Sequence, residues 1–183
     1  MSNFRADCSR CCGLCCVVPD QMAVQGFRVD KPAETPCEHL NGFHRCSIHA
    51  TRRLHGYAAC EGFDCYGAGQ WITQNLFQGA QWSDSPDTAH QMFVAYRYWA
   101  PRFQNAALLE AALPHVRDNA RRAIGALIKA LTAGETRDQP SDAARLRRET
   151  LAAIRSALKV EDASNSQEEQ AIHAAATGME VAK

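Results

Sequence analysis

The chain has no surplus of charge of either sign: its 183 residues carry 20 Lys and Arg against 20 Asp and Glu, a formal net charge of zero. A balanced chain has no whole-molecule field to recruit nucleic acid or an anionic membrane, so its composition argues against both as partners. Long apolar runs are missing too. No stretch approaches about eighteen uninterrupted apolar residues, the length a membrane-spanning helix needs, and Met1-Ser2-Asn3-Phe4-Arg5-Ala6-Asp7 has no apolar core of the signal-peptide kind. The expectation is a soluble cytoplasmic protein. A Walker loop, a dinucleotide fingerprint and a Ser-His-Asp spacing are absent as well, so no catalytic residue is assigned. The last absence is local: cysteine stops at Cys65.

All nine cysteines lie between Cys8 and Cys65, and five of them fall in Cys8-Ser9-Arg10-Cys11-Cys12-Gly13-Leu14-Cys15-Cys16. Packing does not explain this density, because a small buried thiol serves a core no better than Ala or Val. In a reducing compartment clustered cysteines act as ligands or redox groups more often than as structural disulfides, and an odd count argues further against a fully bridged framework. A thiolate is a soft ligand suited to iron–sulfur clusters or zinc, each taking about four per centre. Cys8, Cys11, Cys12, Cys15, Cys16, Cys37, Cys46, Cys60 and Cys65 are therefore the candidate metal ligands, too many for one centre. Consecutive side chains diverge, so the members of Cys11-Cys12 and Cys15-Cys16 can serve different metals, or one can stand behind the other. One zinc, one polynuclear cluster and two centres all stay open at this point. His39, His44, His49 and His55 crowd the same stretch; with nine thiols available each is expected at the surface, His49 being the best exception because it follows Cys46 by three residues.

Between the cysteines the chain reads as irregular. Val17-Val18-Pro19 and Met22 to Val29 are short apolar runs broken by Pro19 and Gly26, and Lys31 to Pro36 is an extended connection, since each proline moves its predecessor out of the α region. Asn41-Gly42 signals a turn between Cys37 and Cys46, and Ser47 to His55 suits a short helix stopped by Gly56. The composition changes near residue 70. Trp71 to Phe77 is a short amphipathic piece ended by Gly79. Ser85-Pro86 then pairs a cap with a first-turn proline and predicts a helix through roughly 87–112, with Met92, Ala95, Tyr96, Trp99, Phe103 and Ala107 on a buried stripe and a kink at Pro101. Such an aromatic stripe at helical spacing reads as core packed against the cysteine lobe. Pro114 is expected to open a second helix with Val116, Ala120, Ala123, Ile124, Leu127, Ile128 and Leu131 inward and an Asp118–Arg122 pair outside. Ser141 is expected to cap a third, with Ala143, Leu146, Thr150, Ile154, Ala157 and Leu158 inward. The arginines of 117–155 alternate with acids and read as an ordinary solvated face. The acidic tail from Glu161 carries little apolar bulk and is expected to fray, apart from a short helix near Gln167–Ala176.

The frame Cys8-xxx-Cys12-xx-Cys15-Cys16, followed by Pro36-Cys37-x-x-Leu40, by Cys46-Ser47-Ile48-His49 and by Cys60, resembles the zinc- or iron-chelating CxxxCxxCC domain family over about residues 8–66. Related segments occur in flagellin lysine methylases. Cysteine-rich lobes joined to pentapeptide repeats are also similar, with Cys8 and Cys11 as the first pair; no such repeats follow here. The resemblance implies metal binding. The chain departs from the pattern where Cys-Ser-Ile-Tyr becomes Cys46-Ser47-Ile48-His49, where Arg-Pro becomes Arg53-Leu54, and where Cys11 and Cys65 are added, so Cys11 and Cys12 compete for one place in the motif.

The expected architecture is mainly α: an irregular cysteine-rich metal-binding lobe (1–69) packed on a small bundle of three to four helices (70–160), then a flexible tail (161–183). The expected function is an iron–sulfur or zinc metalloprotein with a redox, sensing or accessory role. A zinc-stabilised protein-interaction module and a cluster-dependent protein-modifying enzyme are the alternatives. A protein partner is left open, and the oligomeric state is not specified.

Overall fold

A computed structural model describes residues 4–134 and 142–158, and among these the fold is mainly α. Up to Gly67 the backbone has little regular structure: single 3-10 turns at Cys8–Arg10, Leu14–Cys16, Ala23–Gln25 and Arg52–His55, and one α-turn, α1 (Ala58–Glu61). Two isolated antiparallel bridges, Gln21 with Lys31 and Leu40 with Cys46, pin its loops. The helix expected over Ser47 to His55 shortens to Arg52–His55, ended as expected by Gly56 at φ +84°. The turn at Asn41 forms, its side-chain oxygen accepting from the N–H groups of Phe43 and Arg45, but His44 rather than Gly42 takes the left-handed conformation.

α2 (Ala68–Trp71) runs into a π turn at Ile72–Leu76, so the composition change at residue 70 falls inside a continuous helical segment. α3 (Pro86–Ala112) is the long element. It starts as its sequence predicts, with the Ser85 hydroxyl accepting from Thr88 N–H at 3.0 Å, and it continues through Pro101. Pro114 opens only a 3-10 turn, Leu113–His115, and α4 (Asp118–Thr132) begins after Val116 leaves the helical region at φ −127°, ψ 154°. The pairing is accordingly Asp118 with Arg121 at 3.8 Å, not with Arg122. α5 spans 143–158; Asp142 accepts from Arg145 N–H at 2.8 Å and supplies a cap there. Ser141 and the tail from Glu161 lie outside the described residues.

Three clusters of buried side chains hold these pieces. The largest joins both halves of the chain: Cys12, Leu14, Val17 and Val18 pack with Ala68, Ile72 and Leu76 and with the α3 stripe Met92, Ala95, Tyr96, Trp99 and Phe103. Trp99, fully buried, meets Trp71 at 4.3 Å between ring centroids, a contact whose large apolar area makes it the anchor of the fold. The second cluster gathers Ala106, Leu109, Val116, Ile124, Leu131 and Ala157 where α3, α4 and α5 meet. Ala123 and Leu127 were expected inward on α4 but are exposed, as are Ala143 and Leu158 on α5; each helix buries a narrower stripe than its sequence offers. The third cluster is small. Cys37, Ile48 and Tyr57 are its buried members, with Cys16, Phe27, Cys46 and Cys60 packed around them. So little apolar surface cannot offset the entropy of ordering the Gln21–Cys60 loops, which therefore need another source of stability.

Candidate metal centre

The run Ser9–Cys12 lacks helix or strand partners for its carbonyls, and side chains from distant parts of the chain supply them. Arg45 donates to the carbonyls of Ser9 and Cys11 at 2.6 Å each, Gln74 to that of Arg10 at 2.9 Å, and Trp82 Nε1 to that of Cys12 at 2.9 Å. Each contact fixes a peptide of the cysteine run in one orientation. Gly13 follows at φ +74°, and a Cβ there would stand 2.8 Å from Leu40 Cδ1, so only glycine fits between this run and the Leu40–Cys46 turn.

Held this way, consecutive cysteines part company. Cys12 turns into the core, 3 % exposed, its sulfur 3.4 Å from the Thr73 hydroxyl. Cys11 turns the other way, its sulfur resting against α2 where Gly69 leaves room: a Cβ on Gly69 would meet it at 2.7 Å and would lie 4.0 Å from the Cys65 sulfur. Cys15 and Cys16 stay 4.0 Å apart at their sulfurs.

Seven of the nine cysteines, Cys8, Cys11, Cys15, Cys16, Cys46, Cys60 and Cys65, line one cavity of about 1090 Å³. Cys37 stands just behind its wall, 8 % exposed, in the same small cluster as Cys16, Cys46 and Cys60. All nine thiols are free of disulfides. Among the described residues no three His, Cys, Asp or Glu side chains stand at the spacing of ligands around a single ion; the thiols surround a space rather than a point. Burial pushes the thiol of Cys11 up to about 11 and raises Cys8, Cys12, Cys37 and Cys60 as well, while the hydrogen bonds linking Cys16 to Cys15 and Cys46 to Cys16 raise Cys16 and Cys46. Opposing this, backbone N–H groups aim at four of the sulfurs: those of Leu14 and Gly13 at Cys11, those of Trp82 and Cys12 itself at Cys12, that of His39 at Cys37 and that of Ile48 at Cys46. Such N–H···S contacts favour the thiolate and are a common second layer around metal-bound sulfur.

The residues fit a metal or cluster on one further observation. Tyr96, on the stripe expected to be core, does pack in the core at 5 % exposure, but it also lines the cavity, and its buried hydroxyl makes no hydrogen bond. A buried hydroxyl costs stability unless something accepts or donates to it, and the cavity that Tyr96 lines is also lined by Cys11, Cys15, Cys16 and Cys65. Lys31, read from sequence as part of an extended connection, is equally unexpected. It is 7 % exposed and donates to the carbonyls of Val17, Pro19 and Pro32 at 3.2, 2.7 and 3.0 Å. Neither role has a local signal, because each depends on contacts made across the fold.

The histidines divide as well. His49 is exposed but borders the cavity, His44 also borders it while packing on Trp82 at 5.3 Å, and His39 is half-buried against Tyr57 at 5.0 Å and His55 at 5.8 Å. His39 and His44 are thus less exposed than expected, each held by an aromatic partner.

No helix among the described residues is long and apolar enough to cross a membrane. No family model matches the chain, and no solved structure matches it. Over 94 residues it is 43 % identical to the uncharacterized protein YybG of Bacillus subtilis (strain 168), an alignment that takes in 51 % of this chain and 34 % of that protein. The chain thus matches about a third of the length of this curated relative.

Proposed function

We propose that the Cys8–Cys65 lobe binds an iron–sulfur cluster and that the protein serves a redox, sensing or accessory role through it. The observation that carries the reading is the single cavity into which seven free thiols face, with the orphaned Tyr96 hydroxyl among them. The resemblance of the order of its cysteine pieces to that of the CxxxCxxCC family supports it. The small third core supports it too, since a lobe with so few buried apolar groups is the kind of structure that metal ligation folds. When bound, the cluster would supply one-electron chemistry; the chain's own contribution is to fix the sulfurs, wall one side of the cavity with Tyr96 of α3, and direct N–H groups at Cys11, Cys37 and Cys46.

The test is anaerobic purification followed by visible absorption and by iron, zinc and acid-labile sulfide analysis. Broad visible absorption with matched iron and sulfide supports the cluster. A colourless protein with stoichiometric zinc moves the lobe to a zinc-stabilised interaction module, and a folded protein that takes up neither metal removes the reading altogether.

A further inference from the structure

The thiols are not one ring but two sets. Cys16, Cys37, Cys46 and Cys60 share the small third cluster with Ile48, Tyr57 and Phe27. Cys15 and Cys65 pack instead on the main core, and Cys65 lies with Cys11 against Gly69. Cys8 opens the 3-10 turn Cys8–Arg10, which contacts α2, the element that Cys11 and Cys65 lie against. The sets touch where the chain passes from Cys15 to Cys16, at 4.0 Å between sulfurs. Cys12, the ninth thiol, faces Thr73 and the core and borders neither space.

Resting on the metal-binding reading above, we propose that the lobe holds two adjacent four-thiolate centres, one on Cys8, Cys11, Cys15 and Cys65 and the other on Cys16, Cys37, Cys46 and Cys60, with Cys12 a structural thiol. Four thiolates are the usual complement of one iron–sulfur cluster or one structural zinc, and eight of nine cysteines divide into two such complements without remainder. Each set has its own partner in the protein. The unpartnered Tyr96 hydroxyl lines the cavity on the side of the first, because Cys15 and Cys65 pack against the core cluster that holds the Tyr96 ring, and it can donate to a sulfur there. Lys31 stands beside the second: it is buried, its ammonium donates to the carbonyl of Val17, the residue after Cys16, and no carboxylate among the described residues lies within ion-pair distance of it. A buried cation needs an anion, and a metal centre with four thiolates is anionic: one zinc with four thiolates carries a net charge of about −2. The two centres are then neighbours through one peptide bond, close enough for an electron on one to change the affinity of the other for an electron.

The test is native mass spectrometry of the anaerobically purified full chain beside Cys65→Ala, Cys60→Ala and Cys12→Ala, each with iron, zinc and sulfide counted per folded chain. The wild type is expected to carry two equal complements of metal, Cys12→Ala the same two, and Cys65→Ala and Cys60→Ala one each. A wild type carrying a single complement overturns the two-centre assignment while leaving metal binding standing, and this holds even if a cysteine variant fails to fold. Loss of metal in a folded Cys12→Ala overturns the partition. A wild type with no metal overturns the reading on which the inference rests.

Discussion

Replacing Gly69 with alanine places one methyl group between α2 and the Cys11 sulfur and isolates the cavity from the fold. Two effects of opposite sign act. Gly69 lies in a helix, where alanine is favoured over glycine by about 0.5–1 kcal/mol. Against this, the new Cβ would stand 2.7 Å from Cys11 Sγ, and overpacking of this kind costs about 1–3 kcal/mol. The contact is with the end of a short side chain, so rotation of Cys11 about χ1 relieves it at the expense of the sulfur's position. Gly69→Ala is therefore expected to change stability by only about 0–2 kcal/mol on the unfavourable side, while metal per chain falls because Cys11 no longer faces Cys65. Gly125→Ala is the control: Gly125 is a glycine of α4 with open space around its would-be Cβ, and the same substitution there is expected to stabilise by about 0.5–1 kcal/mol with metal content unchanged. Urea midpoints and metal analysis on the two variants and the parent read both quantities. If Gly69→Ala gains stability as Gly125→Ala does and keeps its full metal complement, the placement of Cys11 against α2 is wrong.

Lys31→Met removes three hydrogen bonds to the carbonyls of Val17, Pro19 and Pro32 and leaves those oxygens short of donors; a loss of about 2–3 kcal/mol in the urea midpoint is expected. Ser85→Ala deletes the cap that accepts from Thr88 N–H and should cost about 1 kcal/mol with no effect on bound metal, by the same two measurements. Stripping the metal by anaerobic chelation or oxidation is expected to expose the Gln21–Cys60 loops to trypsin at Arg28, Arg45, Arg52 and Arg53 before α3 is cut, because the third cluster alone buries too little apolar surface to hold them. Digestion followed by mass mapping reads the order of cleavage.

The helical half was legible because its signals are local. Ser85-Pro86 fixes the start of α3 within two residues, and the Met92–Phe103 stripe faces inward as its spacing requires. Where local signals compete the reading slipped: Pro114 suits a first helical turn, yet the chain turns once more before α4, which moves the Asp118 partner from Arg122 to Arg121. At the candidate centre the cysteines announce themselves by number, but their directions do not follow from spacing. The motif frame uses Cys12, whereas Thr73 and Trp82, about sixty and seventy positions away, hold Cys12 in the core and leave Cys11 on the cavity. Tyr96 was read for its ring and missed for its hydroxyl, and Lys31 was read only as the start of an extended connection; only the folded chain shows that both are buried. Long-range contacts decide which polar group is buried, and a single sequence carries no record of them.

X-ray absorption at the iron and zinc edges of the anaerobically purified protein reads the atoms around the metal themselves. Thiolate ligation from Cys8 to Cys65 predicts a first shell of sulfur alone, at about 2.3 Å, and for a cluster a further shell of iron. A first shell of nitrogen and oxygen, or no metal bound in proportion to the protein, would contradict it.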